Sequence, residues 1–288
     1  MEAGALPDTA PDAEATVRYT YRAHYAYGHE VTRNENVFRI IPRVDGAQRN
    51  ASWEVRITPD GARDEHHDAF GNLVLRSLVT QPHREMDVEA AGAVAVRLAQ
   101  EPVTDLRMEV YRQRLLHSDV YLAKSVLVDP AALADHARTA AGGAVSLLQV
   151  VESVTAWLQR HIVYERGYTS VFTTAEEAVA RGHGVCQDYA HAAIGLLRAL
   201  GIPARYVSGL LATQVGETHA WIEFFHPDHG WVATDPTRAR VLADPRELLT
   251  FAVGRDYNDA RPSIGSFEPP GQGGLVSIEA SVQLPEDA

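Results

Sequence analysis

Only one of the 288 residues is a cysteine, Cys186. A lone thiol excludes an intramolecular disulfide framework and any multi-thiolate zinc or iron–sulfur centre, and it suits a reducing, cytoplasmic setting. Basic residues are also scarce: 26 Lys and Arg stand against 38 Asp and Glu, a formal charge of -12. Binding nucleic acid requires clustered cations to neutralise phosphates, so no nucleic-acid partner is expected. Solubility is the plain reading of the charge, and a preference for basic substrates the sharper one. The longest apolar stretch, around Ala192 to Ile202, is interrupted by Arg198 and falls short of the roughly 20 residues that span a bilayer. No membrane partner is expected either. Residues 1–14 have neither a basic start nor the apolar run of a signal peptide, and read as a disordered acidic tail.

What is present is the composition of an ordinary folded protein, 45% hydrophobic and 22% charged, long enough for two modest cores. From Thr16 to about Thr80 apolar and polar residues alternate with period two, as in Asn36-Val-Phe-Arg-Ile-Ile and Ser52-Trp-Glu-Val-Arg-Ile-Thr. Turn signals separate the runs at Asp45-Gly46, Pro59-Asp60-Gly61 and Gly71-Asn72. A strand pair is expected over Arg84 to Leu98. Beyond Pro130 the spacing changes to three and four, which predicts helices over Ala131–Ala141 and Ala144–Tyr164. The expected division is therefore a β-sandwich-like domain at 15–125 and an α+β domain at 126–288. The alternation at 275–284 marks a last strand that joins the second sheet or returns to the first domain.

The segment Gly182-His-Gly-Val-Cys-Gln-Asp-Tyr-Ala-His opens on glycines, and its continuation stops at Gly201 and Pro203, which brackets a helix with Cys186 in its first turn. Ala190, Ala193, Ile194, Leu197 and Leu200 form one apolar stripe along it. Free N–H groups and the positive dipole end at a helix N-terminus favour a thiolate, the nucleophilic form of cysteine, and can hold an oxyanion. A packed core cysteine fits the helix equally well. Downstream, Thr218-His-Ala-Trp-Ile-Glu-Phe-Phe reads as a strand with Ala220, Ile222 and Phe224 on its apolar face and His219, Trp221 and Glu223 on the other, unburied one. A second strand, Trp231-Val-Ala-Thr-Asp235, follows a loop. A hairpin centred near Pro227 would set His219 directly opposite Asp235, where a carboxylate fixes the imidazole tautomer and leaves the other nitrogen for a thiol.

The stretches Gly184-Val-Cys-Gln-Asp-Tyr-Ala-His, Gly201-Ile-Pro-Ala-Arg-Tyr-Val-Ser-Gly, His219-Ala-Trp-Ile-Glu and Gly230-Trp-Val-Ala-Thr-Asp-Pro-Thr resemble the bacterial transglutaminase-like proteins. Tyr19-Thr-Tyr and Asp68-Ala-Phe-Gly-Asn-Leu-Val resemble that group's N-terminal β-region, and Gly254-Arg-Asp-Tyr-Asn-Asp its C-terminal pattern. The resemblance implies a papain-like core with a Cys186, His219, Asp235 triad and no cofactor. Asp235 matches the transglutaminase branch, since papain-type peptidases generally use Asn. The Gln that such peptidases place before the cysteine is absent, because Ala178-Val-Ala stands there. The backbone N–H of Cys186 is thus the expected oxyanion donor, with Gln187 as a side-chain alternative and Trp221 and Tyr206 as candidate walls. His183, His191, His226 and His229 do not make a metal site, because the single thiol is already used and a structural zinc wants four convergent ligands. The expected substrate is a peptide, protein or small amide. The reaction is hydrolysis by a cysteine amidase or peptidase, or acyl transfer to a primary amine, or the chain is a binding protein that keeps the fold without activity.

Overall fold

A computed structural model describes residues 14–45, 47–97, 102–115, 119–212 and 215–283. The acidic tail expected over residues 1–14 lies outside them except for Glu14, which starts a strand. In chain order the elements are β1 (Glu14–Val31), β2 (Arg33–Phe38), β3 (Gln48–Thr58), β4 (Ala62–His67), β5 (Leu73–Val79), β6 (His83–Arg97) and α1 (Met108–Arg114). There follow α2 (Ala134–Ala141), α3 (Leu147–His161), β7 (Val163–Tyr164), α4 (Ala175–Arg181), β8 (His183–Gly184), α5 (Cys186–Ala199) and β9 (Ala204–Leu211). The chain continues through β10 (His219–His226), β11 (Gly230–Thr234), β12 (Leu248–Gly254), α6 (Tyr257–Ala260), β13 (Ser263–Glu268) and β14 (Gly273–Gln283). The class is α+β, a β-sandwich joined to a mixed helix and sheet core.

The sandwich sheets run β14-β1-β6-β3 and β13-β2-β5-β4. Along β1 the odd-numbered residues from Ala15 to Ala23 are buried and the even-numbered ones exposed, the period-two signature of a sheet with one wet face. The strand pair expected over Arg84 to Leu98 is instead one long strand, β6, bonded to β1 on one side and β3 on the other. Gly92 marks no turn there: a Cβ at this position would lie 2.0 Å from the Ser52 carbonyl oxygen, so glycine admits the close approach of β3 beside its register shift. The end of the chain completes both sandwich sheets. β14 pairs with β1 from Arg18↔Gln283 to Tyr27↔Gly273, and β13 pairs with β2. Phe251 of β12 packs edge-on against Tyr19 and Tyr21, so the sandwich core continues into the next sheet.

That third sheet, β11-β10-β9-β12, packs one face on α5, with Ala204, Tyr206, Ala220, Ile222 and Phe224 against the apolar side chains of the helix. The single apolar stripe expected on α5 understates its burial: every residue from Gln187 to Arg198 is buried. α2, α3 and α4 cover the faces that the sheet leaves free. Even Arg198 is enclosed, its guanidinium donating to the carbonyls of Ala123, Ala204 and Arg255 at 2.6–3.1 Å, as a buried charge must. Among the described residues no helix is long and apolar enough to cross a membrane.

Candidate functional site

Cys186 is the first residue of α5 and is half-buried. Its position is fixed by the residue two places on. Asp188, 1% exposed, accepts at Oδ2 from the Val185 N–H at 2.8 Å and from the Thr169 hydroxyl at 2.7 Å. Burial raises the Asp188 pKa, and these bonds only partly offset that. Gly184 makes room for the carboxylate, since a Cβ there would stand 2.6 Å from the Asp188 Cβ. The short β8 that leads into the helix runs parallel to β7, pairing Tyr164 with Gly184. The thiol thus sits where a braced strand turns into a helix, over N–H groups that no preceding turn uses.

His219 opens β10. Its Nε2–H donates to Asp235 Oδ2 at 2.8 Å, with the two side chains 5% and 0% exposed. Cys186 lies close enough to act on the imidazole, and Nδ1 is the ring nitrogen that the Asp235 bond leaves free. Burial pulls the imidazolium down. The hydrogen bond and charge of Asp235, with the nearby Cys186, overcome that pull and hold the His219 pKa up at about 9. Asp235 is itself oriented, its Oδ1 accepting from the N–H groups of Thr237 at 3.1 Å and Arg238 at 3.3 Å.

Two expectations about this hairpin need correction. His219 and Trp221 are buried rather than facing an open side, because that face carries a small core of its own in which Trp221 packs with Val207, Leu211, Leu248 and Val253 of the sheet and with Ala243. The turn is centred on Asp228, not Pro227: the ladder runs from His226↔Gly230 to Ile222↔Thr234, so Asp235 stands diagonal to His219 and not directly across. The cause is a three-residue turn closed by Gly230 at φ 70°. His226 Nδ1 accepts from the N–H of Asp228 at 3.1 Å and His229 at 3.3 Å within it. A diagonal pair on one face remains within side-chain reach.

Gly209 closes the Gly201-Ile-Pro-Ala-Arg-Tyr-Val-Ser-Gly stretch, to which sequence reading assigned no site role beyond Tyr206 as a candidate wall. It is the β9 partner of His219, and a Cβ there would lie 2.0 Å from the Leu249 carbonyl oxygen and 2.6 Å from Trp221 Cη2. A glycine inside a strand was the available signal. Gly209→Ala is expected to cost about 1–3 kcal/mol through overpacking and to displace Trp221, which stacks beside His219 with ring centroids 6.2 Å apart. Chemical denaturation with near-UV dichroism checks this, and unchanged stability with an unchanged Trp signal would refute it.

Of the remaining candidates, Gln187 donates its amide to the Val171 carbonyl at 3.1 Å. Trp221 is fully enclosed. Tyr206 is buried against His191 and Tyr257, and burial first, then the nearby Cys186 charge, pushes its hydroxyl pKa well up. His183 bonds Glu165, His191 Nε2 accepts from the Tyr257 N–H, and His226 donates to the Thr104 carbonyl. Among the described residues no cluster of His, Cys, Asp and Glu is arranged to hold a metal ion.

Comparison with known proteins matches residues 134–236 to the transglutaminase-like superfamily core and residues 17–95 to the bacterial transglutaminase-like N-terminal region. The chain therefore belongs to the transglutaminase-like superfamily. An uncharacterized protein of Mycobacterium tuberculosis is 28% identical over 289 residues, which covers 92% of this chain and 91% of the relative. A crystal structure from Cytophaga hutchinsonii, described as a "putative cysteine protease", superposes with a TM-score of 0.78 over 94% of this chain and 91% of its own, at 21% identity. A shorter alignment over 65 positions, which covers 19% of the chain, is 38% identical to a protein-glutamine gamma-glutamyltransferase of Pseudomonas aeruginosa, of which it covers 10%.

Proposed function

We propose that the protein is a cysteine-dependent amide hydrolase that works through a thioester on Cys186. The supporting observation is the His219 imidazole bonded to the buried Asp235 carboxylate, with Cys186 at the start of α5 near enough to act on the ring. Sγ of the thiolate attacks the amide carbonyl carbon, and the backbone N–H of Cys186 at the start of α5 receives the developing oxyanion. The C–N bond then breaks as the His219 imidazolium gives its proton to the departing amine or ammonia. Water, deprotonated by the now neutral His219, attacks the thioester, releases the acid and restores the thiol pair. Asp235 keeps the ring in the tautomer that presents Nδ1 to sulfur throughout.

A second reading, transfer of the acyl group to a primary amine, draws on the local match to the Pseudomonas aeruginosa gamma-glutamyltransferase. The two readings separate when a peptide amide library is offered with and without a primary amine. Hydrolysis releases ammonia or a new amine in either case. Ammonia release that requires the added amine, with new crosslinked mass, replaces hydrolysis by transfer. No thiol-dependent release from any member would refute both.

The pH dependence follows from His219. A pKa raised to about 9, from ~6.5 in an unfolded chain, keeps the imidazolium charged across neutral pH, and it loses its proton as pH rises through about 9. kcat/KM is expected to fall over that same interval, and a profile that still rises above about pH 10 would contradict the assignment. The pair's contribution to stability has the same sign, fully present below ~6.5 and lost as pH rises through about 9.

A further inference from the structure

Building on the thiol reading above, we propose that residues 163–172, leading from β7 toward α4, form the acyl-donor subsite of Cys186 and select amides whose neighbouring residue carries a large apolar or aromatic side chain. Val163, Tyr164, Tyr168, Val171 and Phe172 are 57%, 49%, 50%, 42% and 67% exposed, five of the sixteen exposed large hydrophobics among the described residues. A connecting segment ordinarily turns polar side chains outward, and an exposed apolar concentration of this kind marks a surface meant to be covered.

The segment does the reverse because its polar groups are spent on anchoring. The Glu165 N–H donates to the Gly184 carbonyl at 2.9 Å, and the Thr169 hydroxyl to Asp188 at 2.7 Å. The carbonyls of Val171 and Tyr168 accept from Gln187 at 3.1 Å and Arg181 at 2.8 Å, and Tyr168 stacks on His183 at 4.5 Å between ring centroids. Gly184, Gln187 and Asp188 lie within two residues of Cys186 on either side. Tyr164 itself lies close enough to the thiol for Cys186 to act on its hydroxyl, so an amide whose carbonyl sits on Sγ is the occupant that this surface meets. Just after β7, Arg166 forms a two-point ion pair with Glu217 at 2.7–2.9 Å, two residues before His219. As an exposed pair it contributes little stability, but it joins the segment beside the thiol helix to the one that leads into His219. Because the segment is fastened at several points, its apolar surface is formed before binding and little ordering is needed to use it. Apolar selection also runs against the preference for basic substrates that a charge of -12 alone suggests.

The test compares alkylation of Cys186 by N-benzyl iodoacetamide and by iodoacetamide, each rate divided by that for glutathione. The benzyl reagent is expected to be favoured about tenfold, which corresponds to ~1.4 kcal/mol. The preference should fall to within about twofold in the Tyr164→Ser, Phe172→Ser double variant and survive in Tyr164→Phe and Phe172→Leu. In the peptide arm, Phe rather than Ser before the reacting Gln should raise kcat/KM by a similar factor, and the double variant should lose that advantage. A benzyl preference no larger than that of glutathione, or one undiminished in the double variant, overturns the proposal. So does a loss of both reagents' rates together, which would mark damage to the thiol. Alkylation needs no turnover, so a retained benzyl preference without turnover would sink the catalytic reading alone, and turnover without a preference would sink the subsite alone.

Discussion

Cys186→Ala is expected to abolish thiol-dependent turnover, by at least about 10⁴-fold, without loss of the folded state. The asymmetry follows from where the side chain sits. Sγ is half-buried at the first residue of α5, and the helix is held by the burial of Gln187 to Arg198 and by the Asp188 bonds to Val185 and Thr169. Removing one sulfur leaves all of these in place. Thermal unfolding should stay within a few degrees of the parent, while intact-mass analysis of the parent after rapid quenching should show an acyl adduct that the variant never forms. The variant also reports on electrostatics: Cys186 helps to hold the His219 pKa at about 9, so a histidine NMR titration should show that pKa lower in Cys186→Ala. Turnover equal to the parent's would end the proposal of a thioester enzyme.

Asp235→Asn is expected to lower kcat by about 10³–10⁴-fold while leaving some residual activity. The reason is a tautomer and not a lost shape. The Asn oxygen can still accept from the N–H groups of Thr237 and Arg238, as Oδ1 of Asp235 does, which turns its amide nitrogen toward His219 Nε2. A donor meeting a donor forces that nitrogen to become the acceptor and moves the proton to Nδ1, the atom needed as the base for sulfur. The charge that holds the imidazolium up disappears as well, so the falling limb of the pH profile should move below about 9. Asp235→Ala removes the oxygen from a fully buried site and leaves N–H groups unpaired, and should also destabilise the fold, by about 1–3 kcal/mol. Equal kcat in parent and Asp235→Asn, or a limb that does not move, would show that the carboxylate neither orients nor charges the ring.

Much of this arrangement can be read in one dimension, because local rules write it there. Alternation along β1 and β2, turn residues at Pro59-Asp60-Gly61, and glycines ahead of Cys186 each depend on a few neighbours in the chain. Where reading failed, contacts distant in sequence had prevailed. β6 is a single strand because β1 and β3 extend it on both sides, and Gly92 answers to Ser52 rather than to a turn. The α5 stripe became a helix buried on every side from Gln187 to Arg198 because three other helices and a sheet enclose it.

The same division runs through the site. The sequence by itself determined that the lone cysteine begins a helix and that a His and an Asp lie on flanking strands of one hairpin, since punctuation and spacing are properties of the chain. Only the tertiary structure decided that Asp235 meets His219 on the diagonal, that Gly209 gives the imidazole and Trp221 their room, and that Asp188 and the segment 163–172 brace the thiol. Those relations join residues brought together by strand register and by packing between layers, and a one-residue change in the hairpin turn is enough to alter them.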